Sequence, residues 1–239
     1  MQKIFLSFLL IAVIGSGLMA QKTITDANAQ IRNATSFHAI QVSGGIDLYL
    51  TQSKDEAVAI SASKTEYRDK IKTEVEKGVL KIWFENQRNF KVDWGNKKMK
   101  AYVSVINIDG LEGSGGSDIF IEGTLKSSNL KLDISGGSDF NGKVDIADLQ
   151  TQLSGGSDID VSGKAGKLKI DASGGSDFQG YELVADVCDI EASGGSDVYI
   201  TVNKELTAEA SGGSDVKYKG NAVLKQIKTH GADIKKTGK

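Results

Sequence analysis

The stretch Leu130-Lys131-Leu132-Asp133-Ile134-Ser135-Gly136-Gly137-Ser138-Asp139-Phe140 decides the fold. Apolar and polar residues alternate up to Ile134, two glycines interrupt, and the alternation resumes at Asp139 and Phe140. A period of two marks a strand with one buried and one wet face. The glycines supply a corner where the backbone needs positive φ or has no room for a Cβ. The pentapeptide Ser-Gly-Gly-Ser-Asp occurs six times, starting at Ser114, Ser135, Ser154, Ser173, Ser193 and Ser211, in steps of 21, 19, 19, 20 and 18 residues. That spacing is too short for a repeated helix pair and fits one coil of a solenoid.

Alignment on the pentapeptide produces columns. Five residues before the first serine stand Leu130, Leu149, Leu168, Cys188, Leu206 and Leu224; one residue after the aspartate stand Ile119, Phe140, Ile159, Phe178, Val198, Val216 and Ile234. No coil buries such residues alone, but coils stacked about 4.8 Å apart bury them against their own counterparts. A degenerate copy, Thr229-His230-Gly231-Ala232-Asp233, closes the series and an early one, Ser43-Gly44-Gly45-Ile46-Asp47, opens it. The expected class is all-β: a single-stranded parallel β-helix, right-handed, of about 19-residue coils with an N-terminal β cap.

Composition and the chain ends bound the function. Met1 to Ala20 carries one basic residue, Lys3, an apolar core from Ile4 to Ile14 and small residues before Ala20, the pattern of a secretory signal peptide. The stretch is short for a membrane span, so the mature chain is expected to be exported, to the periplasm, cell surface or medium, with no integral span. Residues 21–36 read as a polar lead-in, 37–110 as the β cap and 111–239 as the β-helix. Within 37–110, Glu76-Lys77-Gly78 has the look of a tight hairpin, and only Lys64 to Lys70 could hold a helical turn. The sole cysteine, Cys188, falls in the leucine column and reads as a packed core thiol. A net charge of −2 suggests neither a nucleic-acid partner nor an anionic membrane.

The opening Phe37-His38-Ala39-Ile40-Gln41-Val42-Ser43-Gly44-Gly45-Ile46-Asp47-Leu48-Tyr49-Leu50-Thr51-Gln52, the later Val79-Leu80-Lys81-Ile82 and the run of pentapeptide coils resemble the head GIN domain family of auto-transporter adhesins, exported proteins found mainly in Bacteroidetes. The resemblance spans about residues 37–235. It implies a parallel β-helix-like fold, an exported location and an adhesin's role, and it carries over no catalytic residues. No long C-terminal run of amphipathic strands follows, as a membrane barrel would need.

Two features could carry chemistry. Asp118, Asp139, Asp158, Asp177, Asp197 and Asp215 should form a column whose charges repel by roughly 0.9 kcal/mol per neighbour in water. Hydrogen bonds from the Gly-Gly-Ser backbone or the serine hydroxyls would offset this, and so would a row of calcium ions. A glycosidase or lyase groove is the third reading, but catalysis asks for two carboxylates in unlike environments, and these six are alike. The second feature is the segment from Asn86 to Lys98, where Arg88, Phe90, Lys91 and Trp94 suit stacking on sugars or anchoring a protein. The composite expectation is a non-enzymatic, adhesin-like module of the cell envelope that presents repeated polar faces to a glycan or surface protein, without a cofactor. A calcium-stabilised scaffold is the alternative, with a carbohydrate-active enzyme behind it.

Overall fold

The structure, a computed structural model, describes residues 26–85 and 98–238. A short strand, β1 (Gln30–Arg32), precedes the first Gly-Gly coil, made of β2 (Ala39–Ser43) and β3 (Ile46–Gln52). Then come β4 (Ala57–Ser61), a single helical turn α1 (Thr65–Arg68), β5 (Ile71–Glu76), β6 (Val79–Phe84), β7 (Met99–Val105) and β8 (Gly110–Ser114). Beyond β8 the strands lengthen and wrap round a corner: β9 (Ile119–Ser135), β10 (Phe140–Ser154), β11 (Asp158–Ala172), β12 (Asp177–Ala192) and β13 (Asp197–Ser211). The described chain finishes on β14 (Asp215–Lys219), β15 (Val223–His230) and β16 (Asp233–Lys236).

Strands β9 to β13 pair in parallel, each with its counterpart one coil on, in the register that the repeats demand. Leu149 lies beside Leu130 and Leu168, and Cys188 lies between Leu168 and Leu206. These side chains are buried, as are Phe140, Ile159, Phe178 and Val198 in the column after the turn. The molecule is therefore a β-solenoid whose core consists of ladders of like residues. The Gly-Gly corner is constant, with both glycines at positive φ in each pentapeptide, for example Gly155 at 70° and Gly156 at 72°. The variation in repeat length is absorbed at the opposite corner, where the register slips between Asn141 and Lys143, between Asp160 and Gly163, and between Gly180 and Val184. Bulges there let coils of unequal length keep the same core columns.

The opening of the chain is woven into the same stack out of sequence order. β2 pairs in parallel with β8 on one side and β6 on the other, and β3 does the same with β9 and β7. Ser43 thus stands beside Ser114 although all of β4 to β7 intervenes in the chain. The coil of β6 and β7 continues the solenoid past the first Gly-Gly coil, contributing Leu80, Ile82, Met99, Ala101 and Val103 to the core. Antiparallel strands follow: β5 on β6, β4 on β7, and β1 on β4. Lys77 at φ 51° and Gly78 at φ 80° make the β5–β6 hairpin, with both central residues left-handed as a type I′ turn requires. At the far end, β15 pairs with β13 on one side and leaves Val223, Leu224 and Ile227 exposed.

Candidate functional site

The residues flanking the glycines divide by side of the wall. The second serine of each pentapeptide (Ser117, Ser138, Ser157, Ser176, Ser196, Ser214) is fully buried. A buried hydroxyl needs partners, and the column supplies them along the axis. Ser117 Oγ accepts from the Gly45 and Ile46 N–H groups at 3.0 Å each, and the Ser117 N–H donates to Ser138 Oγ at 2.9 Å. Farther along, Ser196 Oγ donates to the Ala172 and Ser193 carbonyls at 3.1 and 3.0 Å, and Ser214 Oγ does the same with Ala192 and Ser211 at 3.1 and 2.8 Å. These serines belong to the framework and are closed to a ligand.

The aspartates face outward as an unbroken column. Asp47 stands against Asp118, and the series runs through Asp139, Asp158, Asp177, Asp197 and Asp215 to Asp233. The sequence pointed to glycine and serine groups as the hydrogen-bond donors. Instead three successive carboxylates in the middle of the column accept the backbone N–H of the next aspartate: Asp118 Oδ1 from Asp139 at 3.1 Å, Asp139 Oδ1 from Asp158 and Asp158 Oδ1 from Asp177 at 3.2 Å. The stacking that brings like charges together also supplies the donors that hold them. Lysines sit at both ends, Lys100 beside Asp47, Lys217 on Asp215 at 3.1 Å and Lys235 on Asp233 at 2.6 Å. Among the described residues no three His, Cys, Asp or Glu side chains converge as a metal site would require.

Repulsion remains visible in the titration of the column. Burial and then the Asp118 charge raise the Asp47 carboxyl above its ordinary range; burial raises Asp118, with the Asp139 charge adding to it; burial and the Asp158 charge raise Asp177. A carboxyl that binds its proton more readily folded than unfolded makes the fold gain stability as pH falls through its raised pKa. Asp118→Asn keeps an oxygen to accept the Asp139 N–H and removes the charge. It is expected to stabilise the protein at pH 7 by roughly 0.5 kcal/mol, the small value suited to a half-exposed group, and the gain should disappear near pH 4. Urea titrations of both proteins at the two pH values measure this; a stability loss at pH 7 would contradict it.

Two residues beyond the aspartates runs a second outward column that sequence reading missed. Tyr102, Tyr49 and Phe120 stack from three adjoining coils, with ring centroids 5.4 and 5.2 Å apart. Lys100 Nζ lies 5.3 Å from the Tyr49 ring centre, and the Tyr102 hydroxyl donates to Asp26 Oδ2 at 3.1 Å. Burial, and then that hydrogen bond, raises the Tyr102 phenol well above its usual pKa. Toward the other end, Tyr181 and Tyr199 meet edge to face at 5.4 Å, with Lys219 4.1 Å over the first ring and Lys217 5.2 Å over the second. The position of Tyr49 and Phe120, two residues after Asp47 and Asp118, was a readable signal. That of Tyr102 was not, because β7 follows no pentapeptide. Arg88, Phe90, Lys91 and Trp94 lie outside the described residues.

The geometry defines a class: a β-solenoid with a closed apolar interior and outward columns of repeated polar and aromatic side chains. The chain belongs to the family described as "Putative auto-transporter adhesin, head GIN domain", matched over residues 36–222. Among solved structures it is similar to a putative adhesin from Bacteroides fragilis, with a TM-score of 0.79 and 22% identity over 87% of this chain and 96% of that one. A putative adhesin from Parabacteroides merdae gives 0.65 and 18% over 88% and 95%. A putative lipid binding protein from Parabacteroides distasonis gives 0.65 and 18% over 88% and 97%. These likenesses establish the fold. A comparison with curated proteins gives no match. Among the described residues no helix is long and apolar enough to cross a membrane.

Proposed function

We propose that the protein is an exported, non-enzymatic, adhesin-like module of the cell envelope that presents its repeated outward columns to a glycan or a surface protein, without a cofactor. The observation that carries this reading is the continuous register of the outer face along the Gly-Gly corner. Equivalent side chains recur every coil along a stiff wall, so weak contacts to a repetitive partner add. Membership of an adhesin family supports it. The inner aspartates, Asp118 to Asp197, offer no acid and base of unlike setting, since each stands in the same turn with an aspartate on either side.

Retention of the purified mature protein on bacterial envelope fractions, host-cell surfaces and a glycan array tests the proposal. Saturable binding to at least one surface is expected, with no release of reducing sugar from polysaccharides. Absence of binding, or turnover of a polysaccharide, overturns it. Thermal melts with calcium and with chelator should superimpose; a calcium-dependent rise would instead favour the scaffold reading.

A further inference from the structure

We propose that the outer wall around Trp83 is a binding groove for an uncharged pyranose, which rests on the adhesin reading and gives it a ligand class. A shallow depression of about 340 Å³ opens there, lined by Gln41, Ser43, Glu74, Lys81, Ile82 and Trp83. Trp83 occupies the register position that the coils above fill with serine: it stands beside Ser43, which stands beside Ser114. Small serines on one side of a half-buried indole leave a step, so that part of the ring stays uncovered.

The polar groups frame that ring in rows set by strand pairing. Glu74, Lys81, Gln41 and Glu112 lie side by side across four strands, one outward position from the row of Lys72, Trp83 and Ser43. Lys81 donates to Glu76 Oε2 at 2.5 Å and Gln41 Nε2 to Glu112 Oε1 at 2.7 Å, which holds both side chains in place, and the Gln41 amide oxygen is left without a donor among the described residues. An apolar plate bordered by an ammonium, an amide and a carboxylate suits a molecule with a C–H face and a rim of hydroxyls that both donate and accept. A pyranose has that form. Glu74, Glu76 and Glu112 outnumber the lysines beside them, Lys72 and Lys81, so a uronate or a sialylated sugar meets net repulsion. The depression accommodates one or two sugar rings, the scale of a contact that gains strength through repetition rather than depth.

The test uses the full mature chain with its own sequence for calorimetry, and a Trp94→Phe background, which leaves Trp83 as the single indole, for fluorescence. Uncharged gluco-, galacto-, manno- and N-acetylglucosamine oligosaccharides are titrated by calorimetry and indole fluorescence, with oligogalacturonate as the charged control. Expected are saturable binding of an uncharged oligosaccharide, a change in Trp83 emission on binding, and weak or no binding of the uronate. Trp83→Ala should weaken the binding about tenfold or more, and Trp83→Phe should restore part of it, with urea midpoints showing that both variants fold. No binding by any uncharged oligosaccharide, equal binding by Trp83→Ala, or preference for the uronate overturns the groove. If the protein still binds envelope or cell surfaces in that case, the adhesin reading survives alone; if surface binding fails too, both fall.

Discussion

Gly163→Ala is expected to be among the most disruptive single substitutions in this chain, although it adds only one methyl group inside a strand. Gly163 sits at φ 107°, in the bulge where β11 slips its register against β12. A Cβ there would lie 2.1 Å from the Val144 carbonyl oxygen and 3.1 Å from Val144 C and N. Those atoms are backbone, held in the ladder between β10 and β11 where Val144 pairs with Gly163. No side chain can swing aside, so coil spacing must widen locally or the bulge must re-form, with Val144, Ile146 and Ala165 of the core losing contact. Backbone strain and overpacking together are expected to cost about 4 kcal/mol, read as a lowered urea midpoint at unchanged slope. Gly156→Ala is the matched control. Gly156 has φ 72°, and nothing lies within 4 Å of its Cβ position, so only the left-handed conformation costs, about 1 kcal/mol. Equal losses in the two variants would show that conformation alone, and not the close approach of successive coils, makes these glycines necessary.

The same distinction explains what was legible in the sequence. The pentapeptide period gives coil length, and the columns at Leu130 and Phe140 give the inward faces. Cys188 could be placed in the core on position alone, because stacking makes register a property of the whole ladder. The spatial order of the first coils could not be read. β6 and β7 occupy a coil beyond β2 and β3, yet they carry Trp83-Phe84 where other coils carry Ser-Gly, so nothing in their residues announces the register. Without that placement, Tyr102 could not be joined to Tyr49 and Phe120, and Trp83 could not be set beside Ser43. The aspartate column was foreseen and its hydrogen bonding was not, since the donor belongs to the next coil's backbone and depends on axial spacing rather than on the turn. The buried serines show the converse: identical residues three apart in one turn lie on opposite sides of the wall, a division that composition leaves open.

Phe178→Ala and Gly180→Ala are expected to be strongly coupled, because the two positions share one volume. The apolar pair after the turn is Ile159 and Val161 in one coil, and Val198 and Ile200 two coils on; between them it is Phe178 and Gly180. All but the glycine are buried side chains of the core. The benzyl group of Phe178 spreads into the space that the glycine leaves: a Cβ on Gly180 would meet Phe178 Cε1 at 2.4 Å. Phe140 and Gly142 show a related arrangement, in which the Cβ position of Gly142 is taken up first by Ile121 Cγ1 of the preceding coil at 2.5 Å and then by Phe140 Cζ at 3.1 Å. Large side chains with a void beside them thus alternate along the stack with medium pairs, which keeps cross-section constant while the sequence varies. Phe178→Ala should cost about 4 kcal/mol by leaving a cavity, and Gly180→Ala about 2 by overpacking against an immobile ring. The double variant has no ring to strike and keeps only the milder approaches to the Tyr199 carbonyl oxygen at 3.0 Å and Ile200 Cδ1 at 3.1 Å, so its cost should fall short of the sum, a coupling of about 1–2 kcal/mol in a urea-denaturation cycle. Additive losses would mean that Phe178 and Gly180 are independent, and that each coil tolerates its own volume without regard to its partner two residues on.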